Sequence, residues 1–225
     1  MKRLILTLSI LGFIATDNAN AQVVLQGGGD MLTFSRRDES PEVTTGSQYI
    51  NDRFLSARVN EGTDLFRIRF NPYLGIMEYD KDGEIYHLTK ESNTVVEFVG
   101  TNPTTYKLYQ HTVSGIEQSD YMKVVFEGEK VSFQTLEKII LKPGKTASNS
   151  YETSSQPEYK RESDVRFMTI NGKTEEISTR TNRFIKMFED KDFQKKLKDY
   201  LKDNRIDLDE DADLMKLGKH LDEVL

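Results

Sequence analysis

The stretch Phe66–Gly83 reads "FRIRFNPYLGIMEYDKDG". Phe66, Ile68 and Phe70 alternate with Arg67 and Arg69, which turns one face of a strand to a core and the other to water. Asn71-Pro72 turns the chain, "GIMEY" makes a second strand, and Asp82-Gly83 is a favoured hairpin dipeptide. The return run "EIYHLT" sets Ile85, His87 and Thr89 on one face and Tyr86 and Leu88 on the other. The acidic end has a rival reading as a calcium loop. With Gly83 at the sixth loop position, Glu78, Asp80 and Asp82 take the first, third and fifth, but the twelfth falls on Thr89, where a bidentate Glu is required. The turn is therefore the better reading.

Similar runs continue on both sides. "LSARV" precedes the stretch, and "TVVEFVG", "TTYKLYQHT", "YMKVVFEG" and "KVSFQTLEKIIL" follow it. Short alternating runs between turn signals predict a largely antiparallel sheet, as a small sandwich or an open barrel. A polar segment, 142–163, carries Pro143, Gly144 and Pro157 and little to bury, so it reads as an exposed loop within a β-rich domain at 48–180. "VRFMTINGKTEEIS" is a hairpin about Asn171-Gly172. From 181 to 225 the period changes. Phe184, Met187, Phe188, Phe193, Leu197, Tyr200 and Leu201 recur at helical steps, with a break near Asp190–Asp192. Leu214, Leu217, Leu221 and Val224 repeat the spacing in a final helix capped by Asp209 or Asp211. The expected class is α+β, a β-sheet followed by a C-terminal helical hairpin. Its apolar stripe packs either on the sheet or on a partner.

The opening residues place Lys2 and Arg3 before an apolar run, Leu4–Ala15, and small residues at Ala19 and Ala21. That order predicts a signal peptide over 1–21 with cleavage before Gln22; the run is too short for a spanning helix. The segment 22–47 is Gly-rich and poor in apolar anchors, so a flexible or edge-draped stretch is expected. Its Gly27–Gly29 triplet lacks the Lys and helix start of a phosphate cradle. The chain holds no cysteine, which excludes thiol chemistry, Cys-ligated metals and a lipoprotein anchor. Its net charge of −6 argues against a nucleic-acid partner.

Little else resembles chemistry. His87, His111 and His220 lie on separate elements without metal-ligand spacing. No Gly-x-Ser-x-Gly elbow or Walker loop is present. Carboxylates abound, but the absence of tryptophan weakens a glycosidase cleft. No catalytic, cofactor or metal residues are assigned. The distinctive motif is "RIRFNPY", whose Arg67, Arg69 and Tyr73 are candidate binding residues for a carboxylate or a headgroup. The alternative pairs the two arginines with neighbours such as Glu78 or Glu84 across the ladder.

The stretches "SQYINDRFLSARV", "FRIRFNPYLGIMEYDKDGEIYHL" and "FIKMFEDKDFQKKLKDYLKDNRIDLDEDADLMKLGKHLDEV" together resemble a group of exported proteins frequent in Bacteroidetes. That group shares a signal peptide, a "Y-[IL]-N-x-x-F" start, a "[RL]-[YF]-N-x-[YF]" strand and an acidic-lysine tail. The resemblance covers most of the chain outside 142–163. It implies an address and an architecture, and carries no catalytic residues. The expected function is a non-enzymatic binding or accessory protein in the periplasm, on the periplasmic face of the outer membrane, or secreted, meeting an envelope protein partner. A secreted hydrolase with a carboxylate-based or His-carboxylate site and a surface adhesion module are the alternatives.

Overall fold

The computed structural model describes residues 22–27, 30–36, 44–145, 151 and 153–225. The expected signal segment, 1–21, lies outside them, as do Gly28 and Gly29. The strands are β1 (Gln22–Gly27), β2 (Asp30–Arg36), β3 (Leu55–Val59), β4 (Phe66–Asn71), β5 (Ile76–Lys81), β6 (Glu84–Leu88) and β7 (Val95–Phe98). They continue as β8 (Thr104–Val113), β9 (Ile116–Glu127), β10 (Val131–Leu136), β11 (Ile139–Lys142), β12 (Glu158–Arg161), β13 (Val165–Ile170) and β14 (Lys173–Glu176). Helices α1 (Thr181–Ile185), α2 (Lys191–Asp203) and α3 (Asp211–Val224) close the chain. The class is α+β. Twelve strands form one antiparallel sheet in the order β1-β2-β6-β5-β4-β3-β7-β8-β9-β10-β13-β14, and β11 pairs separately with β12.

The Phe66–Gly83 stretch forms β4, a turn and β5, with Arg69 opposite Glu78 and Phe70 opposite Met77. Asp82 and Gly83 take the positive φ values of a two-residue hairpin turn, and the Asp80 carboxylate accepts the Gly83 N–H. The turn reading holds. Asn171-Gly172 does the same between β13 and β14.

One twelve-stranded sheet cannot stay flat and bury both its faces, and this one curls twice. Three strand spacings would set β4 about 14 Å from β8 on a flat sheet. Phe70 and Tyr106 nevertheless bring their ring centroids to 4.9 Å. His111 and Phe167, also three strands apart, meet at 4.9 Å as well. Tyr106 and His111 are five residues apart on β8, so their side chains leave opposite faces. The two halves therefore curl in opposite senses. The first concavity encloses Ile68, Phe70, Met77, Val96, Phe98, Tyr106 and Tyr121. The second lies between β8 and β14, and the helices cover its outer side.

That helical cover is internal core. Leu197, Leu201, Leu214, Leu217 and Leu221 pack with Val131, Phe133 and Met168 of β10 and β13. The Asp190 side chain caps α2 by accepting the Phe193 N–H at 2.7 Å, which accounts for the break expected there. The expected cap of α3 is corrected. Glu210 holds the cap position without a side-chain bond, because the Asp211 carboxylate is drawn away to Arg166 and to Lys123 at 2.8 Å. At the other end of α3, Asp222 accepts the backbone N–H groups of Glu129, Lys130 and Val131 in the β9–β10 turn.

Gly218 makes close packing of α3 possible. A Cβ there would stand 2.3 Å from Cδ1 of Phe126. Gly218→Ala ordinarily favours a helix by about 1 kcal/mol. Here overpacking of about 1–3 kcal/mol opposes that gain, and we expect a net loss of up to about 2 kcal/mol in urea unfolding; a stabilised variant would show that Phe126 yields freely.

Two stretches expected to be poor in regular structure carry strands. β1 and β2 pair with each other, and β2 lies along β6 at the side of the sheet, in keeping with the edge-draped alternative for 22–47. Within 142–163, β12 pairs with β11 along its whole length, and Thr45 exchanges backbone bonds with Pro157 and Tyr159. Backbone pairing accounts for β12, on which a shortage of apolar residues is silent. Residues 146–150 and 152 lie outside the described set.

Candidate functional site

The three candidate binding residues of "RIRFNPY" do not converge. Arg69 is half of an internal clamp: its Nε donates to Glu78 Oε2 at 2.7 Å, and its guanidinium lies over the rings of Tyr49 and Phe54. Glu78 is fully buried, and accepts further bonds from Tyr49 Oη and Asn71 Nδ2, each at 2.8 Å. Burial alone raises the Glu78 carboxyl, but the bonds from Asn71, Arg69 and Tyr49 outweigh it and hold the group below its ordinary range. The clamp fastens the segment around Tyr49–Phe54 to the sheet. Arg67 pairs with Asp80 at 3.1 Å, not with Glu84, and its side chain stays 67 % exposed. Tyr73 packs edge-on against Tyr159.

A different place has the geometry of a site. Strand β8 pairs with β7 only as far as Lys107, after which Leu108 N donates to Thr94 O at 3.0 Å. Backbone groups alternate sides along a strand, so Gln110 and Thr112 turn theirs to the same edge, where no strand follows among the described residues. On β14, the two-residue turn makes Ile170 and Lys173 a bonded pair, and Ile177 N donates back to Arg166 O. Thr174 and Glu176 therefore point their backbone groups away from β13, and β14 ends the sheet. These two unpaired edges face each other. Gln110, Thr112, Thr174 and Glu176 all line one cavity of about 760 Å³ between them. A neighbouring hollow of about 630 Å³ shares Gln110, Ser119 and Thr174 with it and adds Tyr109, Ser132 and Thr169.

The interior behind this seam is only partly satisfied. His111 is buried; its Nε2 meets Asp120 Oδ2 at 2.9 Å, and Lys90 Nζ stands 3.4 Å from the other oxygen of that carboxylate. His111 Nδ1 has no partner and is sealed from solvent. A His-carboxylate pair does chemistry only when its free nitrogen reaches a nucleophile or a substrate. This one lies inside, with its ring against Phe167. Gln134 of β10 is fully buried; the Tyr109 phenol lies close to it, yet neither end of its amide completes a hydrogen bond. Such a group costs about 1–3 kcal/mol. Burial also pushes the Tyr109 hydroxyl up to about 12. Among the described residues no three His, Asp or Glu side chains gather as a metal set. His220 stacks on Tyr200, and His87 stands opposite Glu78 on β6.

The carboxylates that fasten the fold set its pH response. Burial raises Asp211, but Lys123 and Arg166 lower it further, and the Lys130 N–H leads the bonds that lower Asp222. With Glu78, all three titrate lower when folded than unfolded. Their contribution is thus complete above the unfolded value of about 4 and is lost as pH falls through the folded values. The melting temperature should hold from about pH 7 to about pH 5 and drop below about pH 4. Asp211→Asn should flatten that drop, and an unchanged acid limb would remove Asp211 from it.

The sequence carried a sign that β8 is covered on both faces, though none of the seam itself. In "TTYKLYQHT" both parities carry large side chains, Tyr106 and Leu108 on one and Tyr109 and His111 on the other, which is the mark of a strand covered on both faces. Among the described residues no helix is long and apolar enough to cross a membrane. No protein-family model matches the chain. Comparisons with curated proteins and with solved structures find no match either.

Proposed function

We propose that this chain is a non-enzymatic binding protein of the bacterial cell envelope, exported by its N-terminal segment and acting through protein contacts at the β8/β14 seam. The observation that carries the reading is the pair of unpaired backbone edges facing one another across a cavity. Unpaired edges are templates for another chain, and folds normally cover or blunt them. The helical tail, whose apolar stripe is spent on its own sheet, is a poorer contact surface. The hydrolase alternative would draw on His111 and Asp120, and the sealed Nδ1 weighs against it.

The test is a photo-crosslinking residue placed at Gln110 or Thr174 in the seam, or at Lys198 on the outer side of α2, in cells carrying the full chain. Seam positions should yield one discrete protein adduct in the envelope fraction, on a mature chain starting at Gln22, while Lys198 yields none. Adducts only at Lys198, or none anywhere, would set the seam reading aside. A retained residue 1 would set aside the cleavage.

A further inference from the structure

We propose that the seam is completed by one extended basic segment of a partner protein, which enters antiparallel to both β8 and β14 and closes a six-stranded barrel. This deepens the binding reading above and rests on it. Strands β8, β9, β10, β13 and β14 are joined by antiparallel ladders throughout, so β8, β10 and β14 run the same way. Zipping β8 directly to β14 would require a parallel ladder, the weaker pairing. A single strand running the other way forms antiparallel ladders on both sides. Its partners on the two edges are the backbone groups of Gln110 and Thr112, and of Thr174 and Glu176.

Room is the second consideration. Parts of β8 and β14 approach within 8 Å, Cα to Cα. That is less than the roughly 10 Å that two strand spacings need. Entry must spread the seam by a few ångströms. β14 is the side that can give, because it is four residues long and, among the described residues, pairs with β13 alone.

Charge and interior define the segment. The cavity is lined by Glu117, Glu175 and Glu176 against Lys173, which already pairs with Glu175 at 2.5 Å. The surplus is negative and calls for Lys or Arg. In a six-stranded barrel the strand opposite the seam is β10, whose Gln134 offers a donor and an acceptor without partners. His111 and Phe167 already fill part of that interior. Inward positions therefore suit small hydroxyl side chains. The segment that fits alternates Ser or Thr with Lys or Arg.

The probe is an acetylated, amidated octapeptide of alternating Thr and Lys, titrated against the full chain by fluorescence anisotropy with amide exchange read in parallel. One control replaces every Lys by Glu; another keeps the charge but carries N-methyl groups on its central amides. The first peptide should bind at least about tenfold more tightly than either control. It should also slow exchange at Gln110, Thr112, Thr174 and Glu176. Thr112→Pro, which removes an outward N–H without touching the β8–β9 ladder, and the exposed change Glu175→Lys should each weaken binding about tenfold at unaltered melting temperature. Equal binding of the N-methylated peptide would overturn strand pairing, and equal binding of the Glu peptide would overturn the basic partner. Absence of binding would overturn the proposal as well. If the seam crosslinks still capture a protein in that case, the binding function survives and only strand insertion falls.

Discussion

Leu217→Asp is expected to leave the chain without a cooperative unfolding transition at room temperature. Leu217 is fully buried in α3 and packs in the cluster that includes Phe133, Met168 and Leu197. An ionised carboxylate placed there finds no partner. It either stays charged at a cost of several kcal/mol or takes up a proton, and the leucine packing is lost in both cases. The deletion Leu217→Ala should cost about 2–5 kcal/mol by itself. Since whole domains are stable by only about 5–15 kcal/mol, the aspartate exhausts most of that margin. Urea titrations followed by far-ultraviolet circular dichroism would measure both variants. Near-normal stability of Leu217→Asp would mean that α3 adds nothing to the core.

Arg69→Met should be the costliest change in the first half of the chain, at about 3–5 kcal/mol, because it strands a buried carboxylate. Glu78 keeps Asn71 and Tyr49 but loses its cation. Its carboxyl, now held below the ordinary range, would move above it. The sign of the pH dependence then reverses: the variant takes up a proton on folding, so its deficit relative to the parent shrinks as pH falls. Adding Glu78→Gln should recover much of the loss, since replacing both members of a buried pair is often nearly neutral. A double-mutant cycle at two pH values checks this. A double variant no better than Arg69→Met alone would shift the cost to the stacking of Arg69 on Tyr49 and Phe54.

Much of this architecture is legible in local pattern. Alternation around Phe66–Phe70, the turn dipeptides Asp82-Gly83 and Asn171-Gly172, and the helical spacing of Leu214, Leu217 and Leu221 each declare their element, because each depends on neighbours within a few residues. The Arg69 and Glu78 pair was also accessible, as a ladder neighbour across one hairpin. Sheet curvature was not. Period-two alternation is the same whichever way a sheet bends, so β4 carries no sign of its curvature, and β8 shows only that both its faces are covered. The seam was hidden for a related reason. It depends on which strand lies beside β14, a relation between residues far apart in the chain. β12 escaped notice because its pairing engages backbone groups, on which side-chain polarity is silent.

The place of β8 and β9 in the sheet also bears on how the chain reaches its fold. This hairpin supplies Tyr106 and Tyr121 to one hydrophobic cluster and Val125 to the other. Both clusters draw on it, and its own ladder closes locally about Ser114-Gly115. Local closure is kinetically cheap, whereas the joins β3 to β7 and β10 to β13 wait on distant chain. Early formation of β8–β9 would give both halves a common template, and mutations in it should slow folding where those in β5 or α2 mainly hasten unfolding.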